Sequence, residues 1–102
     1  MTTDWVEYWK QQDAWSLREL AKLCCGWNPS DYQIPDRVQY DAAVRAIRDA
    51  VRTGALRTLD TPDAASDFLY DERPLFRPRL VVAWAAAKYP LFPYRTDEGF
   101  PK

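Results

Sequence analysis

The longest amphipathic segment of the chain, residues 36–53, constrains the fold more than any other part of the sequence. Successive residues of an α-helix turn by about 100°, so apolar side chains at helical spacing share one side. In this segment those side chains are Tyr40, Val44, Ile47 and Val51. Gly54 follows directly, in a position where glycine commonly ends a helix. The pattern predicts a long helix over residues 36–53 that buries one side in a core.

A second side of this helix is rich in arginine. Its arginines fall within roughly 80° of one another at the helical repeat, and they are Arg37, Arg45, Arg48 and Arg52. Asp41 and Asp49 lie among or beside them, and the resulting i,i+4 ion pairs stabilise a solvated helix by a few tenths of a kcal/mol each. A solvated, ion-paired face therefore explains the row without a ligand. Contact with nucleic acid is the alternative interpretation.

The segment after Gly54 predicts a two-stranded β-ribbon. Residues 56–59 and 68–70 carry strand-forming side chains, and a strand-like run continues to Phe76. Between them, Thr61-Pro62-Asp63 is typical of one short helical turn, because proline is favoured at the first helical position. An irregular loop over residues 57–76 is the alternative.

Two helices are predicted before the long one. Residues 4–13 form the first. The second begins at Ser16, whose hydroxyl can cap the amide of Glu19 while Glu19 reaches back, and it ends at Gly26. Prolines bracket the loop that follows, residues 27–35, and we expect Trp27, Tyr32 and Ile34 to hold this loop against the core.

A last helix is predicted from Pro78 to Lys88, because proline suits its first turn and Pro90 ends it. Its apolar stripe is expected to face inward, and its members are Leu80, Ala83, Trp84 and Ala87. The apolar tail, residues 90–102, is expected to lie at least in part on a single domain of residues 1–102. The predicted core side chains are Leu17, Leu20, Cys24, Val44, Ile47, Val51, Leu80 and Trp84.

These elements predict a mainly α fold, a small helical domain with a two-stranded β-ribbon of winged-helix type. The segment from Ser16 to Leu23 resembles the opening helix of excisionase-type and MerR-type winged-helix proteins, and the resemblance covers roughly residues 16–88. It implies that the arginine-bearing helix reads DNA and that a ribbon over residues 58–76 forms a wing that adds phosphate contacts. Asp71 and Glu72 stand in that wing, where such a protein would carry cations.

The composition argues against catalysis and against a metal or cofactor site. The chain of 102 residues has no histidine, so Cys24 and Cys25 have no imidazole to activate them, and their adjacency gives no metal-binding spacing. The isolated glycines form no phosphate-binding loop. We therefore expect a non-enzyme with no cofactor, no metal and no small-molecule substrate.

The sequence also bears on location. No apolar run approaches the roughly 18 residues of a membrane span, and the first residues lack the pattern of a signal peptide. A cytoplasmic protein that does not bind membranes is expected.

Binding of a protein partner, or self-association, is the predicted function. The chain carries 5 tryptophans and 6 tyrosines, residue types that dominate interface hot spots. The expected contacts lie near the chain ends, at Trp5, Tyr8, Trp9, Leu91, Phe92 and Tyr94. Such a domain suits an adaptor, an inhibitor or a small subunit, including one that a phage or mobile element encodes.

DNA binding by a winged-helix regulator is the alternative function. The net charge of −1 gives no general attraction to nucleic acid, so a local basic surface would have to bind it. The candidate contacts are Arg37, Arg45, Arg48, Arg52, Arg57 and Arg73.

Overall fold

The computed structural model describes residues 4–58 and 75–100. Within them the elements run in the order α1 (Asp4–Lys10), β1 (Trp15–Ser16), α2 (Leu17–Cys24), α3 (Arg37–Thr53), β2 (Leu75–Phe76) and α4 (Pro78–Lys88). The strands form an antiparallel two-stranded sheet. The prediction of a mainly α domain with a two-stranded sheet is confirmed, although α1 ends at Lys10 and is shorter than predicted.

The start of α2 is fixed by the predicted capping box. The Ser16 hydroxyl accepts a hydrogen bond from the Glu19 amide at 3.2 Å, and the Ser16 amide donates to Glu19 Oε1 at 2.8 Å. Two backbone donors that the helix leaves unpaired are thereby satisfied. After the helix, Gly26 has a φ of 81°, and a Cβ at this position would lie 3.0 Å from the Leu91 carbonyl oxygen. Glycine here allows the C-terminal tail to pass close to the end of α2.

The long helix α3 packs against α2. Asp36 caps its first turn by accepting from the Gln39 amide at 3.1 Å, and Gly54 ends it with a φ of 88°. The side chains that α3 buries are Tyr40, Ala43, Ile47 and Ala50. Val44 and Val51, which were predicted to be core residues, are only partly buried. The buried alanines, Ala43 and Ala50, have small side chains that let a neighbouring helix approach closely.

The sheet pairs segments that are far apart in the sequence. Trp15 lies opposite Phe76, and Ser16 lies opposite Leu75. The ribbon predicted between residues 56–59 and 68–70 lies mostly outside the described residues, as does the turn predicted at Thr61. Leu56 is buried and its amide donates to the Ala50 carbonyl, so this end of the predicted ribbon folds back on α3.

The orientation predicted for α4 is wrong. Val81, Val82 and Ala85 are fully buried, whereas Leu80 is 55% exposed. Every position from Leu80 to Ala87 is apolar, so the pattern shows no single apolar side. Packing in the folded chain therefore decides which side of α4 turns inward.

The two ends of the chain meet in an aromatic cluster around Trp15. The Trp15 ring stacks on Tyr94 with ring centroids 5.8 Å apart, and the edges of Phe92 and Phe100 complete its surroundings. The Trp15 indole Nε1 donates to the Trp9 carbonyl at 2.9 Å. The tail therefore supplies core side chains.

Replacing Ile47 with alanine is expected to lower the free energy of unfolding by about 2–5 kcal/mol, because a fully buried side chain leaves a cavity. Leu80→Ala is the matched control, and its effect should be about 0.5–1 kcal/mol because Leu80 is exposed. Chemical denaturation of both variants measures the difference. A larger loss from Leu80→Ala than from Ile47→Ala would contradict this placement of the two helices.

Candidate binding surfaces

A basic groove runs between the first turn of α2 and the outer side of α3. We call it the arginine groove, and its volume is about 300 Å³. Its lining residues are Leu17, Arg18, Arg37, Tyr40, Asp41, Val44, Arg45 and Arg48. Among them, guanidinium groups outnumber carboxylates by four to one. The groove therefore favours anions, and the planar guanidinium group can hold phosphate or carboxylate through two parallel hydrogen bonds.

One arginine of the groove is partly occupied by neighbours on its own helix. Arg37 Nε lies 3.6 Å from Asp41 Oδ1, and its guanidinium lies 5.6 Å from the centre of the Tyr40 ring. Both charged side chains are well exposed, so this ion pair contributes little to stability. Arg45 is exposed on the next turn, where it can meet a ligand without rearrangement of the core.

The structure brings together only some of the arginines predicted to contact nucleic acid. Arg37, Arg45 and Arg48 line the groove. Arg52 does not, and it pairs with Asp49 at 3.3 Å. Arg57 is exposed beyond the end of α3 and is not a lining residue either. Arg73 lies outside the described residues.

Arg18 was missed as a groove residue. It lies on α2, and only the packing of α2 on α3 places it beside Arg45 and Arg48 in one groove. The sequence indicates that Arg18 lies in the first turn after the Ser16 cap, where it is exposed. The sequence does not indicate that α2 packs on α3 in the way that makes Arg18 part of the groove.

The outer side of α4 forms a second candidate surface, which we call the α4 face. Its members follow helical spacing and are Leu80, Ala83, Trp84 and Ala87. Leu80, Ala83 and Ala87 are exposed, and Trp84 is half-buried. The face is apolar along its length, although it borders solvent.

A shallow groove of about 290 Å³, which we call the α3–α4 groove, adjoins the α4 face on the side of α3. Its lining residues are Ala46, Asp49, Ala50, Thr53, Ala55, Trp84 and Lys88. Lys88 Nζ lies 5.7 Å from the centre of the Trp84 ring, and the centres of the Trp84 and Tyr89 rings are 6.0 Å apart. Small side chains of α3 leave the Trp84 ring as the largest apolar group in this groove.

The loop between α2 and α3 borders a third cleft, which we call the loop cleft. Its volume is about 180 Å³. Its lining residues are Ser16, Arg18, Glu19, Lys22, Pro29, Ser30, Asp31 and Tyr32. Lys22 is buried, and its ammonium donates to the Asp31 carbonyl. Trp27 and Ile34 pack on the core, but Tyr32 is 92% exposed, so the prediction that Tyr32 holds the loop inward is wrong.

Several residues predicted to contact a protein partner are core residues instead. Trp9, Phe92 and Tyr94 are buried because the two chain ends pack on each other, and the Tyr94 hydroxyl donates to the Val6 carbonyl at 2.5 Å. Trp5 is partly buried against the same core. Tyr8 and Leu91 are exposed, but the buried aromatics are not accessible to a partner of the folded domain.

The cysteines are poorly suited to thiolate chemistry. Burial, with a smaller contribution from the Asp36 carboxylate, raises the pKa of the Cys25 thiol to about 11. Burial also raises the pKa of the Cys24 thiol, with Cys25 as the second cause. Both thiols are therefore protonated near neutral pH, and the thiolate is the reactive form. Within residues 4–58 and 75–100, no group of three or more histidine, cysteine or acidic side chains is arranged to hold a metal ion.

None of the helices in the described part of the chain is both long and apolar enough to cross a bilayer.

No family model matches the chain, and neither the curated proteins nor the solved structures contain a significant match.

Proposed function

We propose that this chain is a non-enzymatic protein-interaction domain whose α4 face binds an apolar, acid-flanked helix of a partner protein. The observation that carries the proposal is the exposure of Leu80, Ala83 and Ala87 beside the half-buried Trp84 ring. An apolar strip of this kind gains free energy when a partner removes it from water.

The shape of the surface supports a helical partner. An amphipathic helix binds a groove through side chains at positions i, i+3, i+4 and i+7. The α3–α4 groove beside the Trp84 ring offers a depression for one such side chain, because Ala46 and Ala50 leave space there. Tryptophan in a partly enclosed site is a frequent hot spot of protein interfaces.

The charges around the α4 face support acidic flanks on the partner. Arg77 precedes the helix and Lys88 ends it, and both side chains are exposed. Arg79 is paired with Asp97 at 3.7 Å, and Asp49 is the one acidic residue that lines the α3–α4 groove. A second copy of α4 packed antiparallel would bring basic ends together, so a different protein with acidic flanks is the better complement.

Binding of nucleic acid is a second candidate function, and the arginine groove is the observation that favours it. Arg18, Arg45 and Arg48 contribute to one positive groove although the whole chain is slightly acidic. Such a groove binds phosphates through charge and counterion release, independently of base sequence. The sequence resemblance of residues 16–88 to winged-helix proteins implies the same function, because α3 would then match their DNA-reading helix.

The α4 proposal predicts the outcome of selection from a displayed library of random peptides. Peptides selected on the wild-type domain should carry apolar residues at helical spacing with acidic flanks. Their binding should fall at least about tenfold with Leu80→Asp, because a charge in a buried interface is unfavourable. Leu91→Asp is the matched control, since Leu91 is exposed to a similar extent at 61% but lies on the tail, and it should leave binding unchanged. Peptides without an apolar stripe, or equal binding by both variants, would contradict the proposal.

The nucleic-acid candidate predicts the salt dependence of duplex DNA binding. Changing Arg18 and Arg45 together to glutamine should weaken binding and reduce the slope of log affinity against log salt by about 1.8, or about 0.9 for each lost phosphate contact. Both side chains are exposed, so the core should be unaffected. Arg52→Gln with Arg57→Gln removes the same charge outside the groove and should change the slope much less. Equal effects of the two double variants would show that the groove has no special role.

A further inference from the structure

Tyr32 is displayed to solvent by an ordered loop. The Asp31 amide donates to the Asn28 carbonyl at 3.0 Å, and the Ser30 amide donates to Asn28 Oδ1 at 3.0 Å. The buried Lys22 ammonium also holds the loop, because it donates a hydrogen bond to the Asp31 carbonyl. An aromatic ring that is 92% exposed on a loop fixed in this way contributes little to the core. The Tyr32 ring is instead available to stack on a ligand.

The loop cleft and the arginine groove are neighbours. Arg18 lines both of them, so a ligand can extend from Tyr32 past Arg18 towards Arg45 and Arg48. The loop cleft has a volume of about 180 Å³, and Tyr32 is one of its lining residues. A planar ring that stacks on Tyr32 therefore lies at this cleft.

The two sites differ in charge. The loop cleft is balanced, because Arg18 and Lys22 face Glu19 and Asp31. One Glu19 oxygen also accepts from the Ser16 amide. The arginine groove carries excess positive charge. A ligand with a neutral aromatic part and adjoining anionic groups matches this division, and a nucleotide strand has that chemistry.

We infer that the two sites together bind single-stranded nucleic acid. A base stacks on Tyr32 over the loop cleft, and the adjoining phosphates lie in the arginine groove. This inference rests on the second candidate function and specifies its ligand. In a duplex the base faces are covered by their neighbours, so a side chain can stack on a base only where the strand is unpaired.

Fluorescence anisotropy with a labelled oligothymidylate of about ten nucleotides tests the inference, with a mixed-sequence duplex of the same length as comparison. The wild-type domain should bind the single strand more tightly than the duplex at equal salt. Tyr32→Ala should weaken single-strand binding by about 5- to 150-fold, the range measured for loss of one stacked base. The same variant should leave duplex binding unchanged, and Tyr32→Phe, which keeps the ring, should retain tight single-strand binding. Tyr8→Ala is the control, because Tyr8 is 57% exposed on α1, outside both sites.

The outcomes separate this inference from the function on which it rests. Duplex binding that is as tight as single-strand binding and is lost with Arg18→Gln and Arg45→Gln would overturn the inference while supporting the groove as a nucleic-acid site. Single-strand binding that Tyr32→Ala does not weaken would also overturn it. Absence of salt-sensitive binding to either oligonucleotide at low ionic strength would overturn both.

Discussion

Burial of Trp15 is the constraint on which the rest of this structure depends. The Trp15 side chain is fully buried, and Trp15 contacts three separate parts of the chain. Its indole donates to the Trp9 carbonyl of α1, its backbone pairs with Phe76, and its ring stacks on Tyr94 of the tail. Hydrophobic burial and a satisfied indole N–H act together here, and each of them stabilises the packing of both chain ends around Trp15.

This cluster also determines which surfaces are available for binding. The aromatic residues of the chain ends are the most attractive hot-spot candidates in the sequence, but the core uses Trp9, Phe92 and Tyr94. The binding surfaces that remain lie elsewhere. The outer side of α4 is apolar and suits a protein partner, while the adjoining clefts on α2 and α3 are polar or basic and suit an anionic ligand. The two proposed functions therefore occupy separate faces, and variants can test each alone.

The sequence predicted the parts of the fold that local interactions determine. The capping box at Ser16 and the run from the Asp36 cap to Gly54 are signals within one helix, and both helices begin or end where these residues indicated. Long-range features were not predictable in this way. The pairing of Trp15 with Phe76 involves too few residues to show an alternating pattern, and the side of α4 that faces inward is undetermined in a run of apolar residues. Part of the arginine groove was predictable from the spacing on α3, but the contribution of Arg18 depends on how α2 packs.

The solvent accessibility of individual tryptophans tests this fold most directly, because Trp15 and Trp9 lie in the core and Trp84 lies on the α4 face. Fluorine NMR of the domain labelled with 5-fluorotryptophan, with resonances assigned by single Trp→Phe variants, can measure relaxation by a soluble gadolinium complex. Relaxation should be weakest at Trp15 and Trp9, which are 0% and 7% exposed, and stronger at the half-buried Trp84. Relaxation of Trp15 as strong as that of Trp84 would contradict this fold.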